Sequence, residues 1–306
     1  MTAHGPAAEP PEPPVDPFAG TPYEGSPEGW WTPYGGALDQ ASGVVHIPRM
    51  TEASVWTGAA EALADEVTAG APAWHDAVRS TPRHLLVPRW WRRIPNSPAQ
   101  EWELADLAED SPERLHAAYT DETLVTRVGP THADHAVPGE HGKGDPTSSS
   151  TLPGLIVSMA HRLDVQPGHK VLDVGTGSGY SAGLFARRFG DENVTSVDVD
   201  PYLVEAARTR LAEFGRTPRL AAVDATGELP EPEYDRIMAT VSVRPVPASW
   251  LRALRPGGRL VTTIAHTALL ITAATYPDDG RRVVWLLAPD GSWMFPVRHL
   301  TAESDT

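Results

Sequence analysis

The stretch Val171-Leu172-Asp173-Val174 is an apolar run with a single acid, and Gly175, Gly177 and Gly179 follow it at alternating positions. Apolar periodicity resumes over residues 181–189, so the segment reads as a buried strand, a tight turn and the start of a helix. Glycine permits the dihedrals of such a turn and lets a ligand lie directly against the main chain. Further along, Asn193-Val194-Thr195-Ser196-Val197-Asp198 reads as a second strand ending in a carboxylate. The separation of about twenty residues is the one at which nucleotide folds place an acid on a ribose. A dinucleotide fingerprint would need a third glycine three positions beyond the middle one, where this chain has the bulky Tyr180. A triphosphate loop would need Gly-Lys-Ser/Thr, and no lysine follows Lys170.

The rest of the chain arranges itself around this feature. Residues 52–70 predict a helix with Val55, Ala59, Leu63 and Val67 on one face, and a second short helix fits 73–78. Residues 93–144 are polar and irregular, with a possible strand over 122–128. A hydroxyl run, Thr147-Ser148-Ser149-Ser150-Thr151, precedes a helix from Pro153 whose buried face is Leu155, Ile156, Met159 and Leu163. From Lys170 onward strands and helices alternate, which implies a parallel sheet with crossover helices. The finish differs: 268–276 and 281–287 flank Asp278-Asp279-Gly280, a hairpin signal that predicts an antiparallel end to the sheet.

Residues 1–35 are rich in proline, glycine and alanine, and the first lysine or arginine is Arg49. Such a segment cannot bury enough apolar area to offset its ordering entropy, so a disordered arm is expected there, interrupted by Trp30-Trp31. Seven of the ten tryptophans precede residue 103, which gives the N-terminal third an apolar surface of its own. The expected organisation is an arm over 1–35, a helical and irregular extension over 36–146 packed on the catalytic domain, that domain over 147–300, and a disordered tail over 301–306.

Composition removes several classes of function. The chain has no cysteine, so disulfides and thiolate metal sites are excluded, which fits a reducing cytoplasm. Residues 1–20 lack the basic and apolar parts of a secretory signal. The most apolar long segment, 260–276, is rich in β-branched residues and reads as two strands rather than a membrane span. A net charge of −15 argues against a nucleic-acid partner. Arg79, Arg83, Arg89, Arg92 and Arg93 are concentrated in one region and read as a solvated helix end, with attraction of an acidic peptide as the alternative. His132, His135 and His141 lie in a loop with no periodic scaffold to converge them, so no metal is expected.

Gly175-x-Gly177-x-Gly179 behind Asp173 resembles motif I of the S-adenosylmethionine-dependent methyltransferases. Ser80-Thr81-Pro82-Arg83-His84-Leu85-Leu86-Val87-Pro88, Pro201-Tyr202-Leu203-Val204-Glu205-Ala206-Ala207-Arg208, Tyr234-Asp235-Arg236-Ile237 and Leu254-Arg255-Pro256-Gly257-Gly258 extend the likeness. Together and in this order they resemble the protein-L-isoaspartate O-methyltransferase family over roughly residues 52–300. The resemblance implies an α/β, Rossmann-like class I methyltransferase fold. Its sheet would be mostly parallel, seven-stranded and flanked by helices, with an antiparallel terminal hairpin and an N-terminal helical extension. It also implies S-adenosyl-L-methionine as cofactor and the carboxylate of an L-isoaspartyl or aspartyl side chain, in a protein or peptide, as methyl acceptor. By the same likeness Ser148, Asp173, Gly175, Thr176, Gly177, Asp198, Asp224 and Ala225 are candidates for binding the cofactor. Asp173 would orient motif I, Asp198 would take the ribose hydroxyls, and Asp224 the adenine amino group.

The residues after the strand predicted over 235–240 bear on the acceptor. Enzymes that methylate base amines carry an Asn/Asp-Pro-Pro-aromatic tetrad there, and this chain has Val241-Ser242-Val243-Arg244-Pro245. A side-chain carboxyl with a pKa of about 4 is already ionised at neutral pH and needs no base. Its methylation is an in-line displacement in which positioning is most of the task. The family places a hydroxyl residue two positions before the proline that opens the helix leading to motif I, which here is Thr151 before Pro153. Thr151 is therefore the catalytic candidate, with Ser150 and Ser149 as substrate-positioning candidates; a helix N-cap is the competing role for Thr151. The serine-rich variant also resembles the actinobacterial peptide-tailoring branch, which esterifies an aspartate of a constrained ribosomal peptide on the way to aspartimide. A catalytically silent cofactor-binding interaction module and a small-molecule O-methyltransferase remain as other readings.

Overall fold

The structure is a computed structural model, and it describes residues 52–97, 101–105, 107–108, 111–267, 270–278, 281–287 and 293–300. The arm expected over 1–35 with Trp30-Trp31 and the tail over 301–306 lie outside the described residues. Met50–Thr306 forms one compact unit.

The unit opens with helix α1 (Glu52–Val67), α2 (His75–Ser80) and α3 (Arg83–Leu86). On α1 the buried positions are Ala60, Leu63 and Ala64, while Ala59 and Val67 are partly buried, so the core face is turned slightly from the expected one. Next come strands β1 (Trp91–Arg93) and β2 (Glu101–Leu104), helix α4 (Pro112–Ala118), then β3 (Leu124–Val128), β4 (Thr131–His132), β5 (His141–Lys143) and β6 (Pro146–Ser150). The region expected to be helical and irregular thus contains a six-stranded sheet in the order β4-β3-β1-β2-β5, with β6 on β3. Its pairings are all antiparallel. Trp91, Trp102, Leu104, Val125 and Val128 form its small core, and Trp74 and Trp90 join the main core, so four of the early tryptophans are structural.

The main layer runs α5 (Pro153–Leu163), β7 (Val171–Val174), α6 (Tyr180–Phe189), β8 (Val194–Asp198), α7 (Pro201–Glu213), β9 (Arg219–Ala222), β10 (Tyr234–Val243), α8 (Ala248–Ala253) and β11 (Leu254–Ile264). Strands β12 (Leu270–Asp278), β13 (Arg281–Leu287) and β14 (Trp293–Leu300) follow. The sheet order is β14-β13-β12-β11-β10-β7-β8-β9. Strands β9, β8, β7, β10 and β11 are parallel, and β12, β13 and β14 continue antiparallel. The sheet therefore has eight strands instead of the expected seven, because β14 extends the antiparallel hairpin. The segment 260–276 does become two strands, and among the described residues no helix is long and apolar enough to cross a membrane.

The strand order places the site. From β7 the chain steps outward to β8 and β9, then returns to the other side of β7 as β10. In open α/β sheets a ligand crevice forms at such a reversal, beyond the carboxyl ends of the strands. Val174 pairs with Val197 on one side and with Ala239 on the other, so β7 and β8 end within one residue of each other while β10 runs on to Val243 beside them. The β10–β11 register shifts between Ala239 and Ser242. That irregularity sits at the crevice rim, where an extra residue re-aims side chains.

Candidate active site

The glycine loop begins where β7 ends. Gly175 N and Thr176 N both donate to Val197 O, at 2.8 and 3.1 Å, which folds the loop over the end of β8. Gly175 has φ +95°, and a Cβ there would meet Val241 Cγ1 at 2.8 Å and Thr240 Oγ1 at 2.9 Å, so both backbone and space require glycine. A Cβ on Gly177 would lie 3.2 Å from Ser149 O, so the loop and the hydroxyl run meet main chain to main chain. Tyr180, where a dinucleotide fold would need glycine, is buried in the core.

Asp173 lies wholly buried beneath this loop. Its Oδ2 accepts from Ser181 Oγ at 2.9 Å and Ser196 Oγ at 2.8 Å. Ser196 Oγ is also 2.7 Å from Thr176 Oγ1, so one carboxyl ties β7, β8, α6 and the loop together. Burial raises its pKa to about 7 against the two serine hydrogen bonds, which pull it down. Asp173 and Thr176 shape the loop from below and do not line the cavity above it.

That cavity, of about 360 Å³, opens between the two sheets. One wall is hydroxyl-bearing chain: Thr147, Ser148 and Ser149, with Thr151. The opposite wall is Gly175, Gly177 and Asp198 with the apolar Val199 and Leu203; Thr240, Val241 and Ser242 close the rim. Asp198 is the one charged residue in this lining. Its Oδ2 accepts from Gly177 N at 3.0 Å and its Oδ1 from Asp200 N at 3.1 Å, which fixes its carboxylate at the cavity edge. Ser150 is buried behind the wall, and its Oγ has no hydrogen-bond partner.

Thr151 does not serve as the cap of α5. The N-cap position is Leu152, whose N–H donates to Thr123 Oγ1 at 3.1 Å, and Gly154 N donates to Asp121 Oδ1 at 2.6 Å. Two side chains from the loop before β3 thus take the capping work, and Thr151 faces the cavity. Asp224 and Ala225 are not brought to it: Asp224 is exposed with Oδ1 accepting from Thr226 N and Oγ1 at 2.9 and 2.7 Å. Ala225 is buried, and its carbonyl accepts from Ser249 Oγ and Trp250 Nε1.

Arg83 overturns its reading as part of a solvated helix end. It is 0% exposed and donates to the carbonyls of Ala118, Thr120, Glu122, Ser150 and, at 3.5 Å, Thr151. Burial lowers its pKa while Tyr180 and nearby acids raise it. The carbonyls it gathers are far apart in sequence, so no local pattern announces this role. Arg89 likewise donates to Asp134 O and Ala136 O, whereas Arg92 pairs with Glu103 and Arg79 with Asp76. His132 Nδ1 accepts from Asp134 N at 3.2 Å, and the rings of His132 and His135 pack on Tyr202 at 5.0 and 4.4 Å.

A family model described as Protein-L-isoaspartate(D-aspartate) O-methyltransferase (PCMT) matches residues 122–284, more than half of the 306-residue chain. A protein-L-isoaspartate O-methyltransferase of Methanopyrus kandleri is 39% identical over 127 residues, 40% of this chain and 55% of that protein. The chain therefore spans about half the length of that relative. Protein-L-isoaspartate O-methyltransferase 1 of Archaeoglobus fulgidus is 27% identical over 229 residues, 74% of this chain and 87% of that one. A solved protein-L-isoaspartate O-methyltransferase superposes with a TM-score of 0.53 at 22% identity, covering 79% of this chain and 65% of that one. A beta-aspartate methyltransferase (PCMT) structure from Plasmodium falciparum, in complex with S-adenosyl-L-homocysteine, gives 0.50 at 14% identity over 80% and 96%. These two likenesses bear on the fold.

Proposed function

Since the chain belongs to the protein-L-isoaspartate(D-aspartate) O-methyltransferase family, we propose that it transfers a methyl group from S-adenosylmethionine to the side-chain carboxylate of an L-isoaspartyl residue in a protein or peptide. The observation that carries this reading is a single cavity with the Gly175–Gly177 loop and Asp198 on one wall and Thr151 with Ser148 and Ser149 on the other.

The residues fit the cofactor. A Cβ at Gly175 would crowd the rim of the cavity, and a carboxylate with an ordered aim stands beside it. The volume falls within the range of roughly 300–1,000 Å³ typical of small-molecule sites. When bound, S-adenosylmethionine supplies a sulfonium methyl whose transfer forms an O–C bond as the C–S bond breaks, with the electron pair remaining on sulfur. Asp198 accepts from the ribose hydroxyls; Val199 and Leu203 offer an apolar surface beside it. Thr151, freed from capping, donates to the acceptor carboxylate, and Ser149 and Ser148 are placed to orient the peptide around it. No residue has to remove a proton, because the acceptor is already an anion.

The test is a transfer assay with labelled cofactor and two peptides, one isoaspartyl and one a constrained aspartyl peptide. Methylation of the isoaspartyl peptide is expected, and methylation of the constrained aspartyl peptide alone would move the assignment to a tailoring enzyme. Thr151→Val should lower kcat about tenfold, the loss of roughly 1.4 kcal/mol of transition-state stabilisation. It should leave affinity for S-adenosyl-L-homocysteine and Tm unchanged; a parallel fall in Tm would return Thr151 to a structural role.

A further inference from the structure

Strand β3 carries Thr126 and Arg127 side by side, and their side chains reach the two walls of the cleft. Thr126 Oγ1 donates to Ser148 Oγ at 2.9 Å, on the hydroxyl wall. Arg127 Nη1 donates to Asp200 Oδ2 at 2.7 Å, on the other. The ion pair is largely shielded, with side-chain exposures of 33% and 22%. Asp200 is used three times over. Its Oδ1 caps α7 by accepting from Tyr202 N at 2.9 Å, and its own N–H donates to Asp198 Oδ1 at 3.1 Å. The carboxylate of Asp198 is therefore aimed by two N–H groups. One belongs to the glycine loop, and the other to a residue that the small sheet holds through Arg127.

We propose that Arg127 is a positioning residue for the cofactor: by anchoring Asp200 it fixes the turn 198–200 and with it the ribose-facing carboxylate of Asp198. This rests on the assignment of Asp198 to the ribose. Arg127 is not among the residues lining the cavity, so its influence passes through Asp200. Its charge matters as well as its reach. Asp198 and Asp200 are two acids separated by one residue, and the Arg127 guanidinium supplies the opposite charge that holds Asp200 against the small sheet. The helix does not depend on this contact alone. Asp134, which follows β4, accepts from Tyr202 Oη at 2.7 Å and pairs with Arg210, so α7 stays docked when Arg127 is changed.

Isothermal titration of the full chain with S-adenosyl-L-homocysteine tests this. Arg127→Gln should bind about fivefold more weakly, the scale of a part-shielded ion pair, and Arg127→Lys should recover most of the loss. Asp200→Asn keeps an oxygen for Tyr202 N and removes the charge that Arg127 pairs with, so it should show the same loss and decides the matter if Arg127→Gln is insoluble. In an Asp198→Asn background Arg127→Gln should cost nothing further. Wild-type affinity in Arg127→Gln or in Asp200→Asn, or an equal loss with and without Asp198, overturns the proposal while the family reading stands. Failure of the unchanged chain to bind S-adenosyl-L-homocysteine would overturn both.

Discussion

Asp173 has no solvent contact, and only one of its oxygens is hydrogen-bonded: Oδ2 holds two serines while Oδ1 has no partner. With burial lifting its pKa to about 7, the folded state keeps a proton that an unfolded carboxyl, at about 3.9, gives up. The stability this provides is complete below about pH 4 and is lost as pH rises toward about 7, because the native state binds more protons across that window. Asp173→Asn should flatten that decline, which urea unfolding at a series of pH values would measure; an unchanged slope would assign it to other groups. The acid itself is legible in the sequence, as the polar residue inside an apolar run. Its partners Ser181 and Ser196 are not, since they come from α6 and β8 and only the assembled sheet brings them to it. Asp198 was readable from spacing for the same reason that Asp224 was a poorer guide. The end of a central strand faces the crevice, whereas the loop after edge-ward β9 turns its acid onto its own Thr226.

Helix α5 begins without a capping side chain of its own, and its first free N–H groups are served from the loop before β3. Asp121→Ala removes the acceptor for Gly154 N and should cost about 1 kcal/mol, the usual worth of an N-cap. Thermal melting would register it, and a Tm equal to that of the unchanged chain would mean water replaces the carboxylate. The element's existence and buried face are legible in residues 153–163, because an amphipathic period over eleven residues is a strong signal. Its cap is not, coming from 33 positions away. The parallel strands β7, β8 and β10 were equally visible as apolar runs. Of the small sheet only β3 was visible, within the strand expected over 122–128; the others are two to five residues long, and β6 is Pro-Thr-Ser-Ser-Ser, with no alternation at all. Apart from the local β3–β4 pair, such strands exist through pairings between separated segments and the Trp91–Trp102 core beneath them.

At the scale of the molecule, Arg83 joins the end of α4, the loop before β3 and the chain leading into α5 through backbone carbonyls alone. Arg83→Met should keep the volume and strip those carbonyls of their donor, costing about 3 kcal/mol or more. Urea unfolding would measure this, and a loss below about 1 kcal/mol would mean the segments hold one another without it. The parallel strands could be read from the alternation of apolar runs and helices, but their order in the sheet could not. The eighth strand was not read, although Pro289-Asp290-Gly291 is a turn signal comparable to Asp278-Asp279-Gly280. The cleft between the two sheets has one more consequence. Its peptide-side wall offers hydroxyls and no cation. A guanidinium would lose its counter-ion the moment an anionic oxygen became a neutral ester, and would resist that conversion. Hydroxyl donors also hold the anion more firmly than the ester, but the ester leaves no stranded cation behind. On this reading release of the methylated peptide is not opposed by an unpaired charge, and the drive of each turnover comes from the sulfonium discharging to a thioether.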